Sequence, residues 1–151
     1  GMLLSNTGLN VSGHGDPNFP RKLLANWGDP EFMQNFIRRC FSKPVTEDLP
    51  EALTAYANSL DPQSVYQVSV SLRKIDLQKK IRGIRFPVSI VHGGNDHVRK
   101  VSHANAMAEA FPEVELKLIE GGHSGMAENP REWQAELNQV LLRVLQKKEV
   151  R

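Results

Sequence analysis

The sequence predicts an α/β fold: three parallel strands, flanking helices, and a helical segment inserted after the first strand. Three observations carry this expectation. From Pro87 onward, apolar runs of strand length alternate with amphipathic runs of helix length. Residues 17–82 show helical spacing and repeated helix-start signals. A further short apolar run opens the chain at Met2.

The elements follow in order. Met2-Leu3-Leu4-Ser5-Asn6-Thr7 is an apolar run ended by Gly8 and reads as a buried strand over 2–7. Residues 8–18 are rich in Gly, Asn, Ser and Pro and read as loop. Asp29-Pro30 is an N-cap followed by Pro at the first helical position, with Phe32, Met33, Phe36, Ile37 and Cys40 at helical spacing and Pro44 beyond. Asp48 and Pro50 open a second helix, with Leu53, Tyr56, Ala57 and Leu60 on one face. Asp61-Pro62 repeats the start signal, and Val65, Tyr66, Val68, Ser69 and Leu72 continue from it. Ile75 to Ile81 reads as a shorter helical piece, ended by Gly83.

The pattern then changes. Val88-Ser89-Ile90-Val91 is almost wholly apolar, as suits a parallel strand covered on both faces, and predicts a strand over 87–92. Val101 to Phe111 is helical, with Ala104, Met107, Ala108 and Phe111 aligned. A strand over 114–120 follows. Asn129-Pro130 starts the last helix, whose apolar stripe is Trp133, Leu137, Val140, Leu141 and Val144. In open parallel sheets, functional groups collect in loops at the C-terminal ends of strands. Two such loops are His92-Gly93-Gly94-Asn95-Asp96 and Gly121-Gly122-His123.

Composition narrows the function classes. A chain of 151 residues can bury one proper core. With 40% hydrophobic and 24% charged residues it has the make-up of a soluble globular protein. The net charge of +2 is spread along the chain without a basic stripe, so nucleic acid is not an expected partner. No apolar run approaches the roughly 20 residues of a membrane span, and the N-terminus shows no signal-peptide pattern. Gly1 reads as a cloning scar before an encoded Met2. The single cysteine, Cys40, has no partner for an intramolecular disulfide, which points to a reducing cytoplasm, and its spacing from Phe36 and Ile37 points to packing. Lys147 to Arg151 reads as the frayed end of a helix.

The segment from Ile84 to Leu145 resembles the C-terminal part of an α/β-hydrolase. Gly93-Gly94-Asn95-Asp96 matches the family's Gly-x-x-Asp acid loop, Gly122-His123 its histidine loop, and Glu128-Asn129-Pro130 the start of its last helix. Acid precedes histidine, as in the family's Ser…Asp…His order. The resemblance implies that 2–16 and 83–151 form the C-terminal half of the hydrolase core and that 17–82 form a helical cap. It also implies roles. Asp96 would fix the imidazole tautomer, and His123 would take a proton from a nucleophile and return it to the leaving group. Taken singly, Gly122-His123 reads more readily as an ordinary turn and Asp96 as a cap or turn residue; together, at this spacing and in this order, they favour the acid–histidine reading.

Departures from the family pattern matter as much. No Gly-x-Ser-x-Gly occurs in the sequence. Ser124 in Gly121-Gly122-His123-Ser124-Gly125 is out of register and too close to His123 to face its imidazole. The family's early His-Gly oxyanion segment would lie before Met2; His14-Gly15 and His92-Gly93-Gly94 match it only in letters. The expected function is therefore hydrolase-like, on an ester, lactone, amide or related bond, with the chain inactive alone. The alternative is a non-catalytic binding or oligomerisation module. No cofactor is expected. His92, His97 and His103 offer no His-x-x-x-His pair for a metal. Trp27, Phe32, Met33, Phe36, Tyr56 and Tyr66 suit either cap packing or an apolar substrate pocket, and His14-Gly15-Asp16 either a turn or a pocket wall. The free edge of strand 2–7 predicts self-association, as a homodimer that continues the sheet.

Overall fold

Val88, Ser89, Ile90 and Val91 are too apolar to face water on either side, and in the computed structural model they lie at the centre of the sheet. The structure describes residues 1–11, 15–46 and 48–149, the last three of these by backbone alone. The elements are β1 (Met2–Ser5), α1 (Phe19–Ala25), α2 (Pro30–Arg38), α3 (Asp48–Asn58) and α4 (Pro62–Leu72), then a 3-10 turn at Ile81–Gly83. After it come β2 (Val88–Gly93), α5 (Val101–Ala110), β3 (Glu115–Ile119), α6 (Gly125–Glu128) and α7 (Pro130–Glu149).

The strands are all parallel, in the order β1-β2-β3. Met2 pairs with Val88 and Ser5 with Val91; Ser89 pairs with Glu115 and Gly93 with Ile119. This register brings the C-terminal ends of the strands together, so Asn6, Gly94 and Glu120 leave the sheet at the same end. Successive β2 side chains alternate between faces. Val88 and Ile90 pack with Ala104, Met107 and Phe111 on the α5 side, joined by Leu9 and Ile81. On the opposite side, Arg143 of α7 donates to the Ser89 hydroxyl. Burial on both faces explains the near-continuous apolar run.

The helix starts are made as the sequence indicates. The Asp29 side chain accepts from Phe32 N at 2.7 Å and the Asp61 side chain from Ser64 N at 2.7 Å, each ahead of a proline. Each cap satisfies an orphan N–H of the first turn and is worth about 1 kcal/mol.

The structure corrects several expectations. The strands over 2–7, 87–92 and 114–120 are β1 at 2–5, β2 at 88–93 and β3 at 115–119. The helix over Ile75–Ile81 does not form, because Gln78 N bonds the Asp76 side chain at 2.9 Å and Leu77 N bonds Leu9 O at 3.0 Å. Those local and long-range partners replace the helical ones. A short helix, α1, occupies 19–25 within the stretch read only as generally helical. Cys40 lies past the end of α2 and is half-buried. Tyr56 is 65% exposed, so the apolar face of α3 is only partly covered. Leu141 is 51% exposed, and on α7 it is Val140 that is buried, at 4%. His14 lies outside the described residues.

Candidate functional site

Two loops meet where β2 and β3 end. Gly94 N donates to Ile119 O at 2.8 Å, and Asn95 N donates to Gly121 O at 3.0 Å. The approach is so close that a Cβ on Gly93 would overlap the carbonyl oxygen of Gly122, and a Cβ on Gly122 would stand 2.7 Å from Ser42 N. Glycine is required at both positions by space, independent of turn geometry.

The Asp96 carboxylate is wholly buried, and its two oxygens divide the work. Oδ1 accepts from Val98 N at 2.8 Å and Arg99 N at 2.7 Å, which closes the turn after β2. Oδ2 lies 2.8 Å from His123 Nδ1 and 2.9 Å from Asn6 Nδ2, which donates to it. The turn role and the histidine-facing role therefore coexist in one side chain. Burial opposes ionisation of Asp96, but His123, the Arg99 N–H and Asn6 outweigh it and hold the carboxyl below its usual range. An ionised carboxylate only accepts, so the shared proton sits on His123 Nδ1, and in the neutral imidazole Nε2 then carries the lone pair. The His123 side chain is 31% exposed, and Nε2 has no hydrogen-bond partner among the described residues. Such a nitrogen can receive a proton from a hydroxyl or thiol brought to it.

Side chains distant in sequence hold the pair. Asn6 spans from Asp96 to Gly122 O, to which it donates at 2.8 Å. Glu128 accepts from Gly122 N through one oxygen and from Ser42 N and Oγ through the other, at 2.7 and 2.6 Å. It thereby ties the histidine loop to the segment after α2, as does Ser124 N, which donates to Cys40 O at 2.9 Å. Arg99 donates to Asn10 O at 2.7 Å, fastening the loop after β1 to the acid loop. The sequence reading missed Asn6 and Arg99 and gave Glu128 no site role, because the partners that tie them across the site lie 86 to 116 residues away. For Asn6 one signal was present: a polar residue at the end of an apolar run leading into a parallel sheet.

The remaining candidates stand apart. His92 is fully buried and donates from Nε2 to Arg99 O at 2.8 Å; that nitrogen is 3.7 Å from Asp96. His97 is exposed, and burial lowers the pKa of His103, as do the nearby Arg99, His92 and Lys100. Among the described residues no group of three or more His, Cys, Asp or Glu side chains is placed to hold a metal. Burial and the Asp96 charge raise the Cys40 thiol pKa, which opposes thiolate chemistry. The hydroxyls of Ser5 and Ser42 are engaged by Asn6 and Trp133 and by Glu128, and no serine hydroxyl bonds His123 among the described residues. No described helix is long and apolar enough to cross a membrane.

The sequence matches no protein-family model and no curated protein. Solved structures do match. The chain is similar to an esterase from Exiguobacterium antarcticum at 19% identity and a TM-score of 0.77, covering 91% of this chain and 56% of that one. A bromoperoxidase from Bacillus anthracis aligns at 18% identity and a TM-score of 0.81, covering 92% and 56%. An alpha/beta hydrolase enzyme from a Medee basin deep-sea metagenome library aligns at 17% identity and a TM-score of 0.70, covering 93% and 55%. The chain thus spans little more than half the length of these structures. With its parallel strand order and the two loops at the strand ends, it has the fold of the C-terminal part of an α/β-hydrolase.

Proposed function

We propose that Asp96 and His123 are the acid and base of a hydrolytic triad whose serine nucleophile this sequence does not carry. One observation supports this above others: His123 Nδ1 is held 2.8 Å from a buried, ionised carboxylate while Nε2 is left open. In that role Asp96 holds the imidazole so that Nε2 accepts the nucleophile's proton and then passes it to the leaving group, and the carboxylate stabilises the imidazolium in between. The attacked bond is ester-like, in keeping with the similarity to an esterase. Residues 17–82 act as a cap over the site, and Glu128 joins that cap to the histidine loop. Acyl transfer also needs oxyanion donors, and those belong with the nucleophile. The isolated chain is therefore inactive, in a cytoplasm that suits its single thiol.

A second reading is favoured by the open edge of β1. Met2 N and Asn6 N point to β2, bonding Pro87 O at 2.9 Å and Val91 O at 3.1 Å. Alternation then turns the Leu3 and Ser5 peptide groups outward. Leu141, Leu142 and Leu145 on α7 are each at least half exposed. On this reading the chain is a non-catalytic module that pairs with a second copy through β1.

The test joins this chain to whatever polypeptide is encoded upstream of Met2 and measures p-nitrophenyl ester hydrolysis. A Gly-x-Ser-x-Gly turn in that frame, with turnover abolished by His123→Ala, is the expected result. Turnover that survives the substitution sinks the triad assignment.

A further inference from the structure

We infer that Asn6 is a positioning residue of the Asp96–His123 pair, one side-chain amide fixing both the acid's histidine-facing oxygen and the loop that carries the histidine. The inference deepens the reading of that pair as acid and base and rests on it.

The amide is engaged at every point. Nδ2 donates one proton to Asp96 Oδ2 at 2.9 Å and the other to Gly122 O at 2.8 Å. Oδ1 accepts from the Ser5 hydroxyl at 3.1 Å, and that hydroxyl accepts from Trp133 Nε1 at 3.0 Å. The chain of donors has one direction, from α7 through β1 to the acid, and flipping the amide would set its oxygen against Asp96 Oδ2 and Gly122 O and lose both bonds that Nδ2 donates. The backbone is equally committed. Asn6 has φ +46°, in the left-handed region that asparagine tolerates better than most side chains, while its N–H still bonds β2. The side chain is buried, at 7% exposure. A residue needed only for volume would not require an amide, and a carboxylate would set its oxygens against Asp96 Oδ2 and Gly122 O. Gly125 is part of the fit, since a Cβ there would stand 3.1 Å from Asn6 Oδ1.

Sharing Oδ2 between Asn6 and His123 has a consequence. The amide stabilises the ionised carboxylate and directs its remaining lone pair at Nδ1. His92, His123, Arg99, His103 and the Cys40 thiol are charged or titratable groups that also feel that carboxylate.

The test is NMR on the 151-residue chain, following the Asp96 carboxyl titration and the His123 Nδ1 proton resonance, with circular dichroism as the check on folding. In Asn6→Ala the Asp96 titration should rise by about one pH unit, the size expected for losing one hydrogen bond to a charged group, and the Nδ1 resonance should move. In Asn6→Asp the rise should be larger, because two adjacent carboxyls share a proton. Ser5→Ala, which removes the bond to Oδ1 and leaves Trp133 Nε1 without its acceptor but keeps both bonds that Nδ2 donates, should change both signals in the same direction by less. It decides the matter if the Asn6 variants do not fold. A folded Asn6→Ala or Ser5→Ala with both signals unchanged overturns the role of Asn6 and leaves the acid–base pair standing. An Nδ1 resonance unmoved by Asp96→Asn removes the pair itself, and this inference with it.

Discussion

Gly93 and Gly122 touch backbone to backbone: a Cβ on Gly93 would overlap the carbonyl oxygen of Gly122 and lie 2.5 Å from that of Gly121. This contact lets the acid loop and the histidine loop share one space at the end of β2 and β3. Neither carbonyl is the movable tip of a side chain, so the strands must shift to admit a methyl group. Gly93→Ala should destabilise the chain by about 1–3 kcal/mol, as overpacking does, and should lengthen the Asp96–His123 contact. Urea unfolding followed by circular dichroism measures the first effect. Unfolding at unchanged urea concentration would show that the loops are not in contact.

Asp96 makes stability depend on pH in a defined window. Its folded pKa lies below the ordinary value of 3.8. Its stabilising contribution is therefore fully present above that value and is lost as pH falls through the lower folded pKa, because the unfolded chain takes up the proton first. Asp96→Asn removes the effect and sets an amide NH2 against the donors Asn6 Nδ2 and His123 Nδ1 when the original geometry is kept. The wild-type chain should be more stable than Asp96→Asn by about 1–3 kcal/mol near neutral pH. The gap should narrow below about pH 4. Equal narrowing at all pH values, or a constant gap down to pH 2, would contradict the ionised, bonded state of Asp96. Asp16, Asp61 and Glu120 also have lowered pKa values, but they are surface groups common to both chains and cancel in the difference.

The pair itself was legible in the sequence because each member follows an apolar run and a glycine within a few residues: Val88 to Val91 then Gly93 for Asp96, Leu116 to Ile119 then Gly122 for His123. The same local logic gave the starts of α2 and α4, where Asp-Pro writes the cap and the first turn in two letters. What holds the pair was not legible. Asn6 reaches Asp96 across 90 residues and Glu128 reaches Ser42 across 86, and nothing at either end of the sequence marks the other. The missed 75–81 turn has the same origin, since its decisive bond, Leu77 N to Leu9 O, is long-range. Exposed Tyr56 and Leu141 lie on stripes that periodicity alone assigns to a core. Periodicity reports which side of a helix is apolar, whereas coverage depends on what else the fold brings to that side.

The outward Leu3 and Ser5 peptide groups on β1 predict self-association of the isolated chain, because an unprotected strand edge recruits another. Light scattering at micromolar concentration should report a dimer. Leu3→Pro, which removes an outward N–H and leaves the bonds to β2 in place, should shift it toward monomer. A monomer in the unsubstituted chain would count against pairing through β1.

On the proposed reading, Asp96 and His123 supply acid and base but lack, in this sequence, a nucleophile to act on. Hydrolysis of p-nitrophenyl acetate by the isolated chain, compared with His123→Ala, tests it most directly. The same rate is expected for both, no higher than other surface groups provide. Turnover that disappears with His123 would contradict it and would require a nucleophile within these 151 residues.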